Sequence, residues 1–129
     1  MGTLTAKITL SSSDLSSDAL NLTVTDALTI GFPATGISQT SVTTTGANNI
    51  IQPNTDGQTY YVYVKNTGTT NGTTDTAATL TVELTGDVVV GKLAAGEFCF
   101  MPVGGHSLGV QLQSSASTII AEYAYWVKG

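Results

Sequence analysis

Residues 79 to 85 read Thr-Leu-Thr-Val-Glu-Leu-Thr, TLTVELT. Leu80, Val82 and Leu84 alternate with Thr79, Thr81, Glu83 and Thr85. Successive side chains of a β-strand point to opposite faces, so this stretch has one apolar face and one polar face. A helix would scatter the same apolar residues around its circumference. The segment predicts a strand with one side buried and one side wet.

The same period runs outward to both ends of the chain. Leu4, Ala6, Ile8 and Leu10 alternate with Thr3, Thr5, Lys7 and Thr9. Leu20, Leu22 and Val24 alternate with Asn21, Thr23 and Thr25, and Leu108, Val110 and Leu112 with Gly109, Gln111 and Gln113. Two runs are denser, TYYVYVK at Thr59–Lys65 and TIIAEYAYWVK at Thr118–Lys128. They read either as central strands covered on both faces or as strands whose outer face meets another chain. Turn signals separate the runs: Gly31-Phe32-Pro33, Pro53 to Gly57, Asn71-Gly72, Gly86-Asp87, Gly104-Gly105 and Ser114 to Ser117. No segment keeps a 3.6-residue apolar spacing over three turns. The pattern predicts an all-β chain, an antiparallel β-sandwich or jelly roll of about eight short strands. One domain over residues 1–129 suits the length.

Two stretches are left with alternatives. Asn66–Ala77, NTGTTNGTTDTA, reads either as a two-strand extension closed by Asn71-Gly72 or as a mobile surface loop. Pro33 to Asn49 reads as a long connection or a weak edge strand.

Charge is sparse. Four lysines and no arginine face nine acidic residues, for a net charge of −5. This disfavours nucleic acid, which rewards clustered Lys and Arg, and it disfavours a basic membrane-binding face. No run approaches the ~20 apolar residues of a membrane-spanning helix. The N-terminal MGTLTAKITLSSS lacks the apolar core of a signal peptide, and a single cysteine makes no internal disulfide. The expectation is synthesis in a reducing cytoplasm. The sequons at Asn21 and Asn71 are then coincidental.

Cys99 and His106 lie seven residues apart in GEFCFMPVGGH, Gly96–His106. A nucleophilic cysteine needs a nearby base in a recognisable setting, and none surrounds this pair. Zinc needs three or four good ligands, and one Cys with one His falls short. Cys99 reads as a small buried hydrophobe and His106 as a turn residue. Glu83, Glu97 and Glu122 are placed in strands on non-core faces, without a visible pairing for acid–base work. Asp14, Asp18, Asp26, Asp56, Asp75 and Asp87 are placed at turns, and no calcium-loop motif joins them. No cofactor or metal is expected, and no catalytic residue is assigned.

The aromatic residues form the one suggestive cluster. Tyr61 and Tyr63 share a face of one strand, with Tyr60 opposite. Tyr123 and Tyr125 share a face of the last strand, with Trp126 opposite. These six are the candidate interface, or a sugar-binding surface if the rings stack on pyranoses.

The stretch from Asn48 onward resembles the small β-sandwich virion accessory proteins of tailed bacteriophages, the head decoration or cement type. The resemblance is carried by NIIQPNTDGQTYYVYVKNTG, LTVELTG, KLAAGEFCFMPV and STIIAEYAYWVKG, about 60% of the chain. It implies a non-enzymatic virion protein, often a trimer, that binds the major capsid protein lattice and stabilises the head. The alternative is a carbohydrate-binding or adhesin module of a phage tail or head fibre, using Tyr60, Tyr61, Tyr63, Trp126 and the Asn66–Ala77 loop. A hydrolase using Glu83, Glu97 or Glu122 is the third reading. Independently, the apolar strands at Val88–Gly91 and near the C-terminus would be aggregation-prone if left open. That hazard motivates a symmetric homo-oligomer.

Overall fold

The computed structural model describes residues 2–46, 48–53, 57–104 and 109–129. Alternation becomes strand among the described residues, which contain no helix; Leu108 lies outside them. The strands are β1 (Gly2–Ser12), β2 (Leu20–Ala34), β3 (Ser38–Val42), β4 (Asn48–Ile51) and β5 (Tyr60–Asn66). They continue as β6 (Leu80–Leu84), β7 (Val88–Leu93), β8 (Phe98–Val103), β9 (Val110–Ser114) and β10 (Ile119–Lys128).

They build two antiparallel sheets. The first runs β1-β2-β10-β5-β8, with β3 also on β10; the second runs β4-β9-β6-β7. On the side of β10 away from β5, Lys128 to Trp126 face Ile30 to Ala34, and Tyr123 to Ile119 face Ser38 to Val42. β2 and β3 therefore act as one interrupted strand. Thr35 bridges the interruption: its N–H donates to the Tyr125 carbonyl at 3.0 Å, and its hydroxyl accepts from the Tyr125 N–H at 2.9 Å.

With β2 and β3 counted together, the first strand of the roll pairs with the last. β4 then pairs with β9, β5 with β8, and β6 with β7. This nested pairing, dealt alternately to two sheets, is the jelly roll. It resolves the choice that alternation alone leaves open.

The core lies between the sheets. Val42, Val62, Val64, Ile119 and Ala121 from the first sheet meet Leu80, Val82, Leu93, Val110 and Leu112 from the second. Fully burying a Val, Leu or Ile side chain stabilises by about 1.5–3 kcal/mol each. The densest runs, β5 and β10, are the two central strands of the first sheet, and TLTVELT is central in the second.

The N-terminal alternation departs from expectation. β1 pairs only with β2, from Gly2 opposite Ile30 to Ser12 opposite Leu20, and β2 reaches β10 only near its end. Leu20 to Thr29 therefore form an arm roughly 30 Å long at about 3.3 Å per residue. Its apolar side is not buried. Ile8, Leu10, Leu20, Leu22 and Val24 are each 43 to 52% exposed. Ile30 on that side opposes Lys128, so the apolar side of the arm faces away from the second sheet, which does not cover it.

Local readings are revised in several places. Gly31-Phe32-Pro33 is no turn; it lies inside β2 at a bulge where Gly31 and Ala34 face consecutive residues of β10. A proline, having no N–H to give a ladder, is tolerated at such a bulge. Pro33 to Asn49 holds β3 and the crossing to the second sheet. Between Asn66 and Ala77 no further strand forms; a turn is held by one isolated bridge from Thr69 to Asp75, the Thr70 N–H donates to the Thr74 carbonyl at 2.8 Å, and Asn71 Oδ1 accepts from the Thr73 and Thr74 N–H groups. Gly72 at its tip has φ +92°, which suits glycine. Gly86-Asp87 does close the β6–β7 hairpin, with positive φ at both. Asp26 lies within β2 and not at a turn. Asp56 and His106 lie outside the described residues, as do parts of the Pro53–Gly57 and Gly104-Gly105 turns.

Candidate interaction surface

The two aromatic strands do pair, but their rings do not form one row. In register, Tyr61 faces Trp126, Tyr63 faces Ala124, and Val62 faces Tyr125. Opposed residues of an antiparallel pair point to the same side. Tyr60, Tyr123 and Tyr125 therefore turn toward the core, while Tyr61, Tyr63 and Trp126 turn outward. The inner set packs: Tyr60 and Tyr125 meet edge to face at 6.0 Å and 76°. The Tyr60 hydroxyl donates to Gln58 Oε1 at 3.1 Å.

The outer set gains two members from β8. Phe100 opposes Tyr63, and Phe98 opposes Lys65. Tyr61 and Phe100 stack at 6.0 Å and 10°, and the Lys128 ammonium sits 6.0 Å from the Tyr61 ring centroid. Phe98 is 64% exposed. Phe98 and Phe100, two residues apart, share one face of β8, and the pairing of β8 with β5 joins them to the tyrosines.

The outer face continues into the arm. Ile30 opposes Lys128, so the even-numbered side of β2 lies on the same side as Trp126. Leu4, Ile8 and Leu10 of β1 oppose Leu28, Val24 and Leu22 on that side. The arm curls over the sheet and leaves an open trough of ≈ 660 Å³, lined by β1 from Leu4 to Leu10, Ile37, Tyr63, Phe98, Cys99, Phe100 and Trp126. Exposed apolar surface of this extent marks interaction sites.

The second sheet is polar along its middle strands, while its edge strand β7 leaves Val88, Val89 and Val90 44 to 53% exposed, with Val89 beside Glu83. Its outer face carries Thr81, Glu83, Gln111 and Gln113. Gln111 Nε2 donates to Glu83 Oε2 at 2.8 Å and to Asp87 Oδ1 at 2.9 Å, tying two carboxylates to one amide. Glu83 lies on the outer face as expected, yet it is buried beneath this network and is not solvated.

The remaining candidates have local partners. Glu97 is not in a strand; it sits in the turn before β8, where its Oε2 accepts the Ala94 N–H at 3.0 Å. Glu122 accepts the Tyr63 hydroxyl at 2.9 Å on the outer face. Burial, then the hydrogen bond and charge of Glu122, push the Tyr63 phenol up to about 12. Cys99 is half-buried against the core; burial pushes its thiol up, partly offset by a hydrogen bond with the Val64 backbone. A protonated thiol is a poor nucleophile. Among the described residues no three His, Cys, Asp or Glu side chains are grouped to hold a metal. No family model, curated protein or solved structure matches the chain.

Proposed function

We propose that the chain is a non-enzymatic structural protein of a tailed-bacteriophage virion, a decoration or cement protein. It binds the lattice of the major capsid protein as a homotrimer and braces the head. The observation that carries this reading is the asymmetry of its two faces. One sheet continues into an unsupported apolar arm over a floor of Phe98, Phe100, Tyr63 and Trp126, whereas the other carries Glu83, Gln111 and Asp87 joined by hydrogen bonds and exposes valines along its β7 edge. A surface of that kind suits assembly with other chains. The jelly roll recurs in capsid proteins, an argument by analogy of fold alone. Each copy on a lattice needs only modest contacts, because many act together.

The test is co-sedimentation of the purified protein with capsids that lack it. Saturation at a fixed ratio to the capsomers supports the proposal; recovery of all the protein in the supernatant overturns it. The exposed Phe98 ring and half-buried Trp126 also favour a second reading, a glycan-binding module of a tail or head fibre. Trp126 is the single tryptophan, so a saturable change in its fluorescence during glycan titration selects that reading.

A further inference from the structure

The trough is apolar on its floor and along one wall, and three observations identify what fills it. The geometry points to a second copy of this chain: the β1–β2 arm of one copy lies in the trough of a neighbour, apolar side down on Phe98, Phe100 and Trp126. This goes beyond the binding of a capsid shell and needs none.

The first observation is the wall. β1 is the end of its sheet, so one edge of its backbone has no strand beside it. Such an edge accepts an extended segment that completes the ladder, with alternate side chains entering the pocket beside it. The arm is an extended segment whose alternate side chains are apolar except at Asp26, which lies opposite Ala6 on the same side.

The second is area. A compact monomer of 13.2 kDa has a surface of about 6,400 Å². This chain exposes 7299 Å², an excess of roughly 900 Å² over that expectation. A standard interface takes about 800 Å² from each partner. An arm that leaves the roll adds surface of this kind, and an interface of standard size would offset the excess.

The third is charge. The arm carries Asp14, Asp18 and Asp26 against Lys7 alone. The outer face carries Lys65 and Lys128 against Glu122, which already accepts the Tyr63 hydroxyl. An acidic arm on a face with surplus lysine is complementary, in a chain whose net charge of −5 otherwise repels its own copies.

The experiment uses the whole chain without capsids, by light scattering across a hundredfold concentration range. Leu22→Asp alters the arm's apolar side, Phe98→Asp alters the floor, and Thr23→Asp alters the arm's polar side. All three positions are exposed, so folding is preserved, and circular dichroism checks it. The expected result is a native mass that is a multiple of 13.2 kDa. Leu22→Asp and Phe98→Asp should each weaken association by at least about tenfold, since each buries an unpaired charge; Thr23→Asp should not. Acrylamide quenching of Trp126 should rise when either apolar variant dissociates. A wild-type chain that stays monomeric throughout overturns the inference. So does an assembly that Leu22→Asp leaves intact, or one that Phe98→Asp leaves intact.

Discussion

The side-chain amide of Asn66 donates to the carbonyl of Leu93 at 2.9 Å, linking the end of β5 in one sheet to the end of β7 in the other. The same Nδ2 donates to the Ala78 carbonyl at 3.1 Å, and Oδ1 accepts the Gly68 N–H at 2.8 Å. Asn66 is fully buried, with all three bonds inside the fold. It is the polar clamp at the point where the Asn66–Ala77 segment leaves the roll.

Asn66→Ala should therefore cost about 3–5 kcal/mol, because it strands buried backbone groups that cost roughly 1–3 kcal/mol each. Asn66→Asp should also destabilise, since a carboxylate accepts but cannot donate to the Ala78 and Leu93 carbonyls. Urea unfolding measures both. A loss below 1 kcal/mol for Asn66→Ala would contradict the clamp.

The core and the arm should respond oppositely to truncation. Leu112 is fully buried, and Leu112→Ala should lose about 2–5 kcal/mol through lost burial and the cavity left behind. Ile8→Thr, on the exposed side of the arm, should change stability by no more than about 0.5 kcal/mol. Denaturation at low protein concentration keeps association out of the comparison.

Tyr63 should give the fold an alkaline limb. Its phenol rises from the ordinary 10.0 to about 12 in the folded chain. Below pH 10 the hydroxyl is protonated in both states, and its contribution is complete. Between pH 10 and 12 the unfolded chain ionises first, so stability falls as pH rises through that window. Tyr63→Phe should flatten this fall. Glu122→Gln should bring the phenol part of the way back, since burial remains the first cause. Tyrosinate absorbance against pH reads both; an unchanged titration in Glu122→Gln would rule out the pairing.

Gly109 should not accept a side chain. An added Cβ would lie on the Ile51 carbonyl oxygen and 2.8 Å from the Pro53 nitrogen. Its N–H donates to Thr85 Oγ1 at 2.8 Å, so the backbone is held from the other side as well. Gly109→Ala should cost on the order of 2 kcal/mol, in the range of overpacked sites. A thermal melt of this variant beside Gly104→Ala, where a Cβ meets open space, isolates the clash.

Strand identity was legible wherever apolar residues recur at every second position, because pleating alone imposes that period. TLTVELT, the tyrosine strand and the final strand all formed where alternation placed them. The face of each residue within its strand was legible too: Tyr60 opposite Tyr61 and Tyr63, Trp126 opposite Tyr123 and Tyr125. Where a bulge or a terminal turn breaks the period, at Phe32-Pro33 and Glu97, local reading went astray.

The sequence by itself determined an all-β chain with two-faced strands and little charge. Only the tertiary structure decided which strands are neighbours, and with that the jelly roll. Ladder hydrogen bonds join backbone groups that every residue possesses, so alternation carries no record of partners. The same limit hid the interaction surface. Leu4 to Leu10 and Leu80 to Leu84 alternate alike, yet one lies over an open trough and the other within the core. What separates them is which side of the strand the fold turns toward the other sheet, a property of the fold and not of the strand.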